Sequence, residues 1–600
     1  MADRLQSVLI TDCGTGMTSA VLLRREQGAF RLIARAEAAT TVDPPHSDVT
    51  LGVRSVVEAI EEATGMRLLK PDGDGIITPA AGATGVDLYL SASSTGGGLQ
   101  MMVAGLVRIM TAESAERAAL GAGAIVMDVI SIDDGRLAHE KIQRLRGLKP
   151  DLVLLSGGID GGNYRDVLEL AEYIKAAKLD SKLPIIYAGN VDAQDRVGQT
   201  LEGKARLFYV DNVRPVLEKE VLEPARREIH RRYMEHVVAR APGYDKLSAW
   251  SKTSILPSTA AIGYIVEAVA RSEHQDILAL NIGEATTDVF SSFAGRFTRT
   301  VSGDLGVGSS LSNVVLKAEA KNILRWLPFE LSESVLRNTL RNRSLHPYNR
   351  PEGDDELRIE HAVTREIIRL SIEQHKSSVV GLRGVRRQRD ISNVFDQKGS
   401  EESLYDSMSL GLIIASGTPF RLADNPRQVV TMLLDAIQPL GVTQLAVDRH
   451  FMAPHFGMLS TVDEQSALQV FMEDGLLQLG TVVRPAGEIK QGDNSLGMRL
   501  IDQDGKVYSD SFAGGQLRLW QLPVGRFAAH ITPASGLDVG AGKGKMHTCS
   551  MVAGEGGIVV DTRDAARLNA AVVSPARRAE VAQWHKQLDA YPEAKGEWSK

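Results

Sequence analysis

The stretch Asp12-Cys-Gly-Thr-Gly-Met-Thr18 decides the fold of this chain. It lies between two short apolar runs, residues 8–10 and residues 20–23, and a third run follows at residues 30–36. Short apolar runs bounded by glycine and polar residues are typical of buried strands joined by tight turns. We therefore predict that the chain opens with a three-stranded antiparallel meander, followed by a helix at residues 49–64.

The first turn has the composition of an anion-binding loop. Gly14 and Gly16 allow backbone N–H groups to converge, and Thr15 and Thr18 add hydroxyl donors. Converging N–H groups suit phosphate, and a carboxylate such as Asp12 suits a metal-bound water. The alternative interpretation is a hairpin turn whose glycines only relieve steric strain.

A second turn of the same design follows about 270 residues later. Asn281-Ile-Gly-Glu-Ala-Thr-Thr-Asp288 again joins apolar runs, and it offers Gly283, the hydroxyls of Thr286 and Thr287, and the carboxylate of Asp288. Two similar meanders indicate an internal duplication with a ligand between the halves. Facing turns of this kind would hold the β and γ phosphates of a nucleotide, although a polar hairpin is the simpler alternative.

A third candidate is the apolar segment Leu412-Ile-Ile-Ala-Ser-Gly-Thr418. Its small residues Ser416 and Gly417 would let an adenine or ribose ring lie against the backbone. Such turns are common in α/β proteins, so this one gains weight only from its position after the other two.

The rest of the chain divides by pattern. Strands, glycine loops and helices alternate between residues 87 and 188, with strands expected at 88–92, 124–132, 152–155 and 184–187. This alternation favours a largely parallel sheet. We predict two α/β lobes and a β-rich tail, with these bounds: lobe I at 1–250, lobe II at 251–470 with a helical insertion at about 315–400, and a C-terminal domain at 471–600.

Composition narrows the class of protein. A formal charge of −7 and the absence of a long Lys/Arg block argue against a nucleic-acid partner. The two cysteines, Cys13 and Cys549, belong to no disulfide framework or zinc motif, which favours a reducing cytoplasm. No apolar run has the ~18 residues of a membrane span, and no leader precedes the first strand, so we expect a cytoplasmic protein with no membrane contact.

Assembled, these segments resemble the glutamate mutase accessory family, called GlmL or glutamate mutase MutL, of the actin, heat-shock-chaperone and sugar-kinase (ASKHA) superfamily. The resemblance covers nearly the whole chain. It rests on these motifs: Thr95-Gly-Gly-Gly-Leu-Gln-Met-Met-Val103, residues 111–123, Leu155-Ser-Gly-Gly-Ile-Asp-Gly-Gly-Asn163, Ala285-Thr-Thr-Asp-Val289 and Gly536-Leu-Asp-Val-Gly-Ala-Gly-Lys-Gly-Lys545. It implies two actin-like ATPase lobes that bind ATP or ADP with Mg²⁺. It also implies a role in reactivating an adenosylcobalamin-dependent mutase, with cobalamin held by that partner.

The resemblance also implies roles for particular residues. The first phosphate loop would comprise Asp12, Gly14, Thr15 and Thr18, the second Gly283, Thr286, Thr287 and Asp288, and the adenosine turn Ser416 and Gly417. Asp12 and Asp288 would place the metal and the attacking water.

Four positions depart from the family pattern. Ser19 stands where the first loop has lysine, Asn281 and Glu284 where the second has aspartate and glycine, and Thr418 where the adenosine turn has a second glycine. Because Asn281 lacks a carboxylate and Glu284 adds an anion beside the phosphates, we predict impaired hydrolysis. Two alternatives stay open: a scaffold of this fold that does not hydrolyse ATP, and a small-molecule kinase.

Overall fold

The computed structural model describes residues 5–94, 98–236, 241–251, 253–346, 349–381 and 403–591. The chain forms two compact units. The first comprises residues 1–265, 380–403 and 454–470, and the second comprises residues 266–379, 404–453 and 471–600. Two predicted segments lie partly outside the described residues. These are the motif that begins at Thr95, of which residues 95–97 are not described, and the predicted helical insertion, of which residues 382–400 are not described.

The strands, in chain order, are β1 (Ser7–Cys13), β2 (Met17–Glu26), β3 (Ala29–Ala39), β4 (Leu88–Ser93), β5 (Gln100–Gly105), β6 (Ile125–Ser131), β7 (Leu152–Leu155), β8 (Pro184–Tyr187), β9 (Arg206–Tyr209), β10 (Asp276–Ile282), β11 (Thr287–Phe293), β12 (Arg296–Ser302), β13 (Leu410–Gly417), β14 (Gly441–Asp448), β15 (Leu477–Arg484), β16 (Asn494–Ile501), β17 (Val507–Ala513), β18 (Leu517–Trp520), β19 (Gly525–Pro533), β20 (His547–Ala553) and β21 (Ile558–Asp561).

The helices are α1 (Val49–Thr64), α2 (Thr111–Gly121), α3 (Ala138–Leu148), α4 (Arg165–Ala176), α5 (Gln194–Leu201), α6 (Glu223–His236), α7 (Tyr244–Trp250), α8 (Ser258–Glu273), α9 (Leu311–Ala318), α10 (Ala320–Leu324), α11 (Glu333–Leu345), α12 (Asp354–Ser378), α13 (Thr418–Arg421), α14 (Pro426–Ile437), α15 (Ala453–Ser460), α16 (Glu464–Val470), α17 (Ala565–Asn569) and α18 (Pro575–Gln587).

The first sheet of the first unit is the predicted meander. Strands β1, β2 and β3 pair antiparallel, and β4 pairs parallel to β1, so the strand order is β3-β2-β1-β4. Helix α1 begins where the Asp48 side chain accepts the N–H of Thr50. Its apolar stripe, which includes Val53, Val56 and Ile60, is fully buried. Both the meander and the helix after it are confirmed.

A second sheet in this unit is entirely parallel, as the alternation at 87–188 predicts. Its order is β6-β5-β7-β8-β9. Helix α2 packs in one apolar cluster with Met101, Val103 and Leu154, while helix α4 packs in another with Met102 and Val153. The sheet is therefore covered on both faces. The predicted strand at 88–92 pairs with β1 instead and belongs to the meander sheet.

The second unit repeats the first design. Strands β10, β11 and β12 form the second predicted meander, and β13 pairs parallel to β10, giving the order β12-β11-β10-β13. The sheet continues through β14, β15, β21 and β18 to eight strands. Helix α12 packs against β11 and β12 and buries Ile359, Val363 and Ile367. Because each unit carries the same four-strand order, the predicted duplication into two actin-like lobes is confirmed.

The C-terminal region is rich in strands, as predicted. Strands β17, β16, β19 and β20 form an antiparallel sheet over their own core, which includes Leu496, Phe512 and Phe527. The other strands of the region, β15, β18 and β21, extend the eight-stranded sheet, and residues 471–600 belong to the second unit. A buried pair between Arg484 and Asp561, with Nη1 to Oδ2 at 2.5 Å, links two of those strands.

Among the described residues, none of the helices combines the length and the apolar composition that a transmembrane span requires.

Candidate functional site

The turn after β1 is closed by one backbone hydrogen bond, from Gly14 N–H to Met17 O at 2.9 Å. The register pairs Asp12 with Ser19 and Cys13 with Thr18 across the hairpin. Thr15 and Met17 are exposed at the tip of the turn. The Thr15 hydroxyl is thus accessible to a ligand.

Thr18 occupies a different environment from Thr15. It is fully buried, and its Oγ1 lies 3.0 Å from the Oγ1 of Thr40. The Thr40 hydroxyl in turn donates to Gly14 O at 2.8 Å. Thr18 therefore stabilises the turn through Thr40. Its role as a direct phosphate donor stays a prediction.

Asp12 is a buried carboxylate, 2% exposed. It accepts a hydrogen bond from Ser258 Oγ at 2.5 Å. Burial raises the pKa of Asp12 to about 6, and the Ser258 hydroxyl opposes part of that rise. In the part of the chain that the structure describes, no basic side chain pairs with Asp12. A buried carboxylate without a counter-charge is stabilised by a nearby cation, so its surroundings fit a hydrated metal ion.

The turn after β10 has the same construction as the first. Gly283 N–H donates to Thr286 O at 2.9 Å. The register pairs Asn281 with Asp288 and Ile282 with Thr287. By this register Asn281 is the equivalent of Asp12, and Asp288 is the equivalent of Ser19.

The structure separates the roles of the predicted threonines in this turn. Thr287 is fully buried and donates from Oγ1 to Leu305 O at 2.8 Å, so it fixes the loop after β12. Thr286 lies nearer the tip of the turn and is partly exposed. Of the two hydroxyls, that of Thr286 is placed for a ligand.

Asp288 is held by a buried arginine. Arg299 Nη2 lies 2.5 Å from Asp288 Oδ1, and both side chains are 2% exposed. A metal at Asp288 would have to compete with this guanidinium for the carboxylate, which is costly for a buried pair. The predicted metal-binding role of Asp288 is thus untested, whereas its pairing with Arg299 is a feature of the structure.

Asn281 presents an orphaned polar atom. The residue is 8% exposed, and its Oδ1 is buried with no hydrogen-bond partner among the described residues. Buried polar atoms in native proteins are nearly always satisfied by protein, water or ligand. The amide oxygen therefore has room to accept from a bound water, which is the part the family gives to a carboxylate.

Two departures from the family pattern contact each other. Thr418 Oγ1 donates to Glu284 Oε1 at 3.0 Å. Burial raises the pKa of Glu284, and the Thr418 hydrogen bond with the charges of Arg343 and Arg421 opposes that rise. The carboxylate thus lies beside the second turn and belongs to a cluster of both charge signs.

The predicted adenosine turn, at Ser416 and Gly417, lies next to the turn after β10. Gly417 pairs with Ile282 in the parallel register. Its φ is +106°, and a Cβ there would lie 2.2 Å from Ile282 O, so only glycine fits. Ser416 is buried and donates from Oγ to Asp448 Oδ2 at 3.1 Å. Ser416 therefore ties β13 to β14, and its predicted contact with adenosine stays a prediction.

Sequence reasoning missed the partners that hold these residues: Ser258, Thr40, Arg299 and Asp448. For one of them, Arg299, the sequence contained a usable signal. A two-residue turn at Ala294–Gly295 pairs Phe290 with Arg299. Arg299 is therefore the diagonal neighbour of Asp288 on the same face of the hairpin.

Magnesium with a nucleotide needs few protein ligands, because phosphates and waters complete its coordination. Within the described ranges, no group of three or more His, Cys, Asp or Glu side chains could hold a metal by itself. Asp12 and the orphaned oxygen of Asn281 would each face a metal-bound water rather than the ion. The two turns are thus compatible with a hydrated ion, each within its own unit.

The duplicated meander, with a glycine turn after its first strand, defines an α/β protein built from two units of similar design. More particularly, the chain belongs to the family described as MutL protein, whose sequence profile it matches over residues 8–474. A relative named Protein MutL from Clostridium tetanomorphum is 30% identical over 363 residues, which are 56% of this chain and 76% of that protein.

Two solved structures illustrate what the fold is similar to. A nucleotide-free acetone carboxylase has 12% identity and a TM-score of 0.34, with 85% of this chain and 81% of that chain covered. An activator of 2-hydroxyisocaproyl-CoA dehydratase from Clostridium difficile, with bound ADPNP, has 10% identity and a TM-score of 0.28, with 78% and 95% covered.

Proposed function

We propose that the protein is a nucleotide-dependent accessory factor of a cobalamin-dependent mutase. The observation that carries the nucleotide part is the repeated turn, closed by Gly14 N–H to Met17 O in one unit and by Gly283 N–H to Thr286 O in the other, each at 2.9 Å. Turns of this kind present N–H and hydroxyl donors to an anion. Membership of the MutL family supports the mutase part, since that family is named for its association with glutamate mutase.

In this proposal the turn of each unit can bind a phosphate group of ATP or ADP with Mg²⁺. Thr15 and Thr286 supply hydroxyl donors, and Asp12 orients a metal-bound water. Gly417 keeps the backbone close to the second turn, and Ser416 holds that segment in place. The partner holding cobalamin would respond to whether nucleotide is bound.

Binding without rapid turnover is favoured by one particular observation. Glu284 Oε1 is fixed by Thr418 beside the second turn, where a γ-phosphate would add further negative charge. Asp288, the other acid of that turn, is engaged by Arg299. The protein is therefore expected to hold ADP more readily than it cleaves ATP, and a non-hydrolysing scaffold is the second candidate function.

Thermal unfolding with ADP and Mg²⁺ tests the nucleotide part. If the nucleotide binds only the folded state, a concentration 100 times its Kd adds about 2.7 kcal/mol of stability. The variant Thr15→Val removes an exposed hydroxyl and should reduce the shift in Tm. Thr548→Val, at an exposed position of β20, is the matched control and should leave it unchanged. No shift with ADP or ATP at millimolar concentration would refute the proposal.

The partner is tested separately. Affinity purification of the tagged protein from its native source should recover a subunit with the absorption spectrum of bound cobalamin, more strongly with one nucleotide than with the other. Recovery of no cobalamin-binding subunit in any nucleotide state contradicts the mutase part. Phosphorylation of a sugar or carboxylic acid in a substrate panel would instead support a kinase.

A further inference from the structure

A second ligand site is indicated in the first unit, away from the turn after β1. The five-stranded parallel sheet runs β6-β5-β7-β8-β9, so in order of sequence its strands are arranged 2-1-3-4-5. In doubly wound sheets of this order, the chain reverses direction between the first and third strands, and ligands bind outside the carboxyl ends of the strands at that point. Here the reversal lies between β5 and β7.

The loops that leave these two strands diverge. Helix α2, which follows β5, packs on the face that carries Val103 and Leu154, whereas α4, which follows β7, packs on the opposite face with Val153. The loops still meet at their base, where a Cβ added to Gly157 would lie 3.2 Å from Leu106 Cβ. By the rule for such sheets, the diverging loops border a crevice, and Gly157 lies at its base.

Ser156, directly after β7, presents an unsatisfied hydroxyl to this crevice. The residue is fully buried, and its Oγ has no hydrogen-bond partner among the described residues. Side chains alternate along a strand, so Ser156 shares the α2 face with Leu152 and Leu154. A buried hydroxyl without a partner is costly unless a ligand or water satisfies it.

The backbone that follows adds two more donors. Gly157 O accepts the N–H of Asn190 at 2.9 Å, and Gly158 O accepts Nδ2 of Asn212 at 3.0 Å. Both carbonyls therefore point towards the loops after β8 and β9. In a trans peptide the N–H points opposite to the carbonyl, so the N–H groups of Gly158 and Ile159 point back towards β5. Neither finds an acceptor in the part of the chain that the structure describes.

The charge of the surroundings suits an anion. The N-terminus of α2 lies over the end of β5, since a Cβ added to Gly105 would be 2.3 Å from Ala112 Cα. Helix α2 has no side-chain cap at Met110, and the positive end of its dipole lies beside the end of β5, where Ala112 N–H donates to Val107 O at 3.1 Å. The nearby Asp160 carboxylate is turned to other partners, because its Oδ1 accepts from Asn212 and Val191 at 2.9 and 3.1 Å.

From this arrangement we propose that the carboxyl edge between β5 and β7 binds a phosphate group. The donors are the Ser156 hydroxyl and the N–H groups of Gly158 and Ile159, with the α2 N-terminus adding positive potential. Gly158 has φ +73°, the left-handed conformation that brings successive N–H groups into a concave nest. The site does not depend on the proposed nucleotide function of the hairpin turns.

Hydrogen–deuterium exchange of the full-length protein tests this site, with inorganic phosphate as the probe and chloride at equal ionic strength as the reference. We expect slower exchange in peptides covering residues 152–165 with phosphate. Ser156→Ala should weaken the apparent phosphate affinity at least tenfold. It should leave the Tm without phosphate unchanged or higher, because the deleted hydroxyl has no partner among the described residues.

Ser131→Ala is the matched control. Ser131 is equally buried, its hydroxyl is also without a partner among the described residues, and it ends β6 outside the β5–β7 reversal. It should retain phosphate protection. A second series with a nucleoside monophosphate distinguishes a bare phosphate site from one that also reads a nucleoside, which would bind tighter than phosphate. Absence of protection at 152–165 in tens of millimolar phosphate, or equal losses in the two serine variants, would overturn the proposal.

Discussion

Replacing Glu284 by glutamine tests the electrostatics of the second turn most directly. Glutamine keeps the length of the side chain, and its Oε1 still accepts the hydrogen bond that Thr418 donates at 3.0 Å. The variant therefore removes a charge and leaves the contact. We expect tighter binding of ADP with Mg²⁺, and a larger gain for a non-hydrolysable ATP analogue, which carries one more phosphate.

The size of the gain follows from Coulomb's law. Two like unit charges about 4 Å apart repel by about 4 kcal/mol at an effective dielectric of 20. Glu284 is partly exposed, and Arg343 and Arg421 act on the same carboxylate, so much of this repulsion is screened. A remaining ~1.4–2 kcal/mol corresponds to roughly 10- to 30-fold in Kd.

Calorimetric titration of wild type, Glu284→Gln and two controls measures this difference. Thr418→Val deletes the hydroxyl donor and keeps the charge, so it should not tighten binding. Glu330→Gln removes a glutamate charge that is 80% exposed in the same unit and should have no effect. If Glu284→Gln binds no tighter than wild type, or if Thr418→Val produces the same gain, the carboxylate does not oppose the phosphates and our reasoning is wrong.

Three further outcomes are expected. The double variant Asn281→Asp with Glu284→Gly should raise the ATPase rate above that of wild type. Expressed as activation free energy, its gain should exceed the sum of the two single gains, because both residues act on one proposed metal–phosphate cluster. A rate no higher than that of wild type contradicts this. Asp435→Ala should lower the free energy of unfolding in urea by about 3–5 kcal/mol, because buried Arg365 and Arg563 each lose an ion pair, although Arg563 keeps its pair with Asp561. Asp510→Ala, at an exposed pair, should cost under ~1 kcal/mol. Burial lowers the pKa of His375 to about 3, so below its unfolded pKa of ~6.5 only the unfolded chain gains this proton. Stability should therefore fall as pH drops from 6.5 to 5, and the slope from this residue should steepen towards about 1.4 kcal/mol per pH unit. His375→Asn should show a correspondingly shallower slope in urea unfolding.

The meanders were predictable because their information is local. Each strand is a short apolar run, each turn carries glycine, and the register follows from the length of the turn. The same local signals predicted a largely parallel sheet with β6, β7 and β8, but they missed its strands β5 and β9 and wrongly added the strand at 88–92. That strand resembles its neighbours in sequence, and its pairing with β1 depends on tertiary packing.

The environment of each site residue was less accessible to sequence reasoning. Ser258 donates to Asp12 from 246 positions away, and no periodicity connects the two. The sequence shows Asp12 and Asp288 as two similar acids after similar strands. The structure places the Ser258 hydroxyl against Asp12 and the buried guanidinium of Arg299 against Asp288.

The departures at Asn281, Glu284 and Thr418 are better understood as one change than as three. Asn281 pairs with Ser416, two residues before Thr418, and Thr418 bonds to Glu284. The turn therefore has one acidic side chain, as in the family pattern, but at position 284 instead of 281, where it contacts Thr418. In the proposed function an acid at 281 would orient a metal-bound water, whereas the acid at 284 is held by a threonine beside the turn. This relocation weakens the hydrolytic arrangement and leaves the tight approach of Gly417 to Ile282 intact. Binding can thus persist where turnover does not, which suits a factor that signals its nucleotide state to a partner.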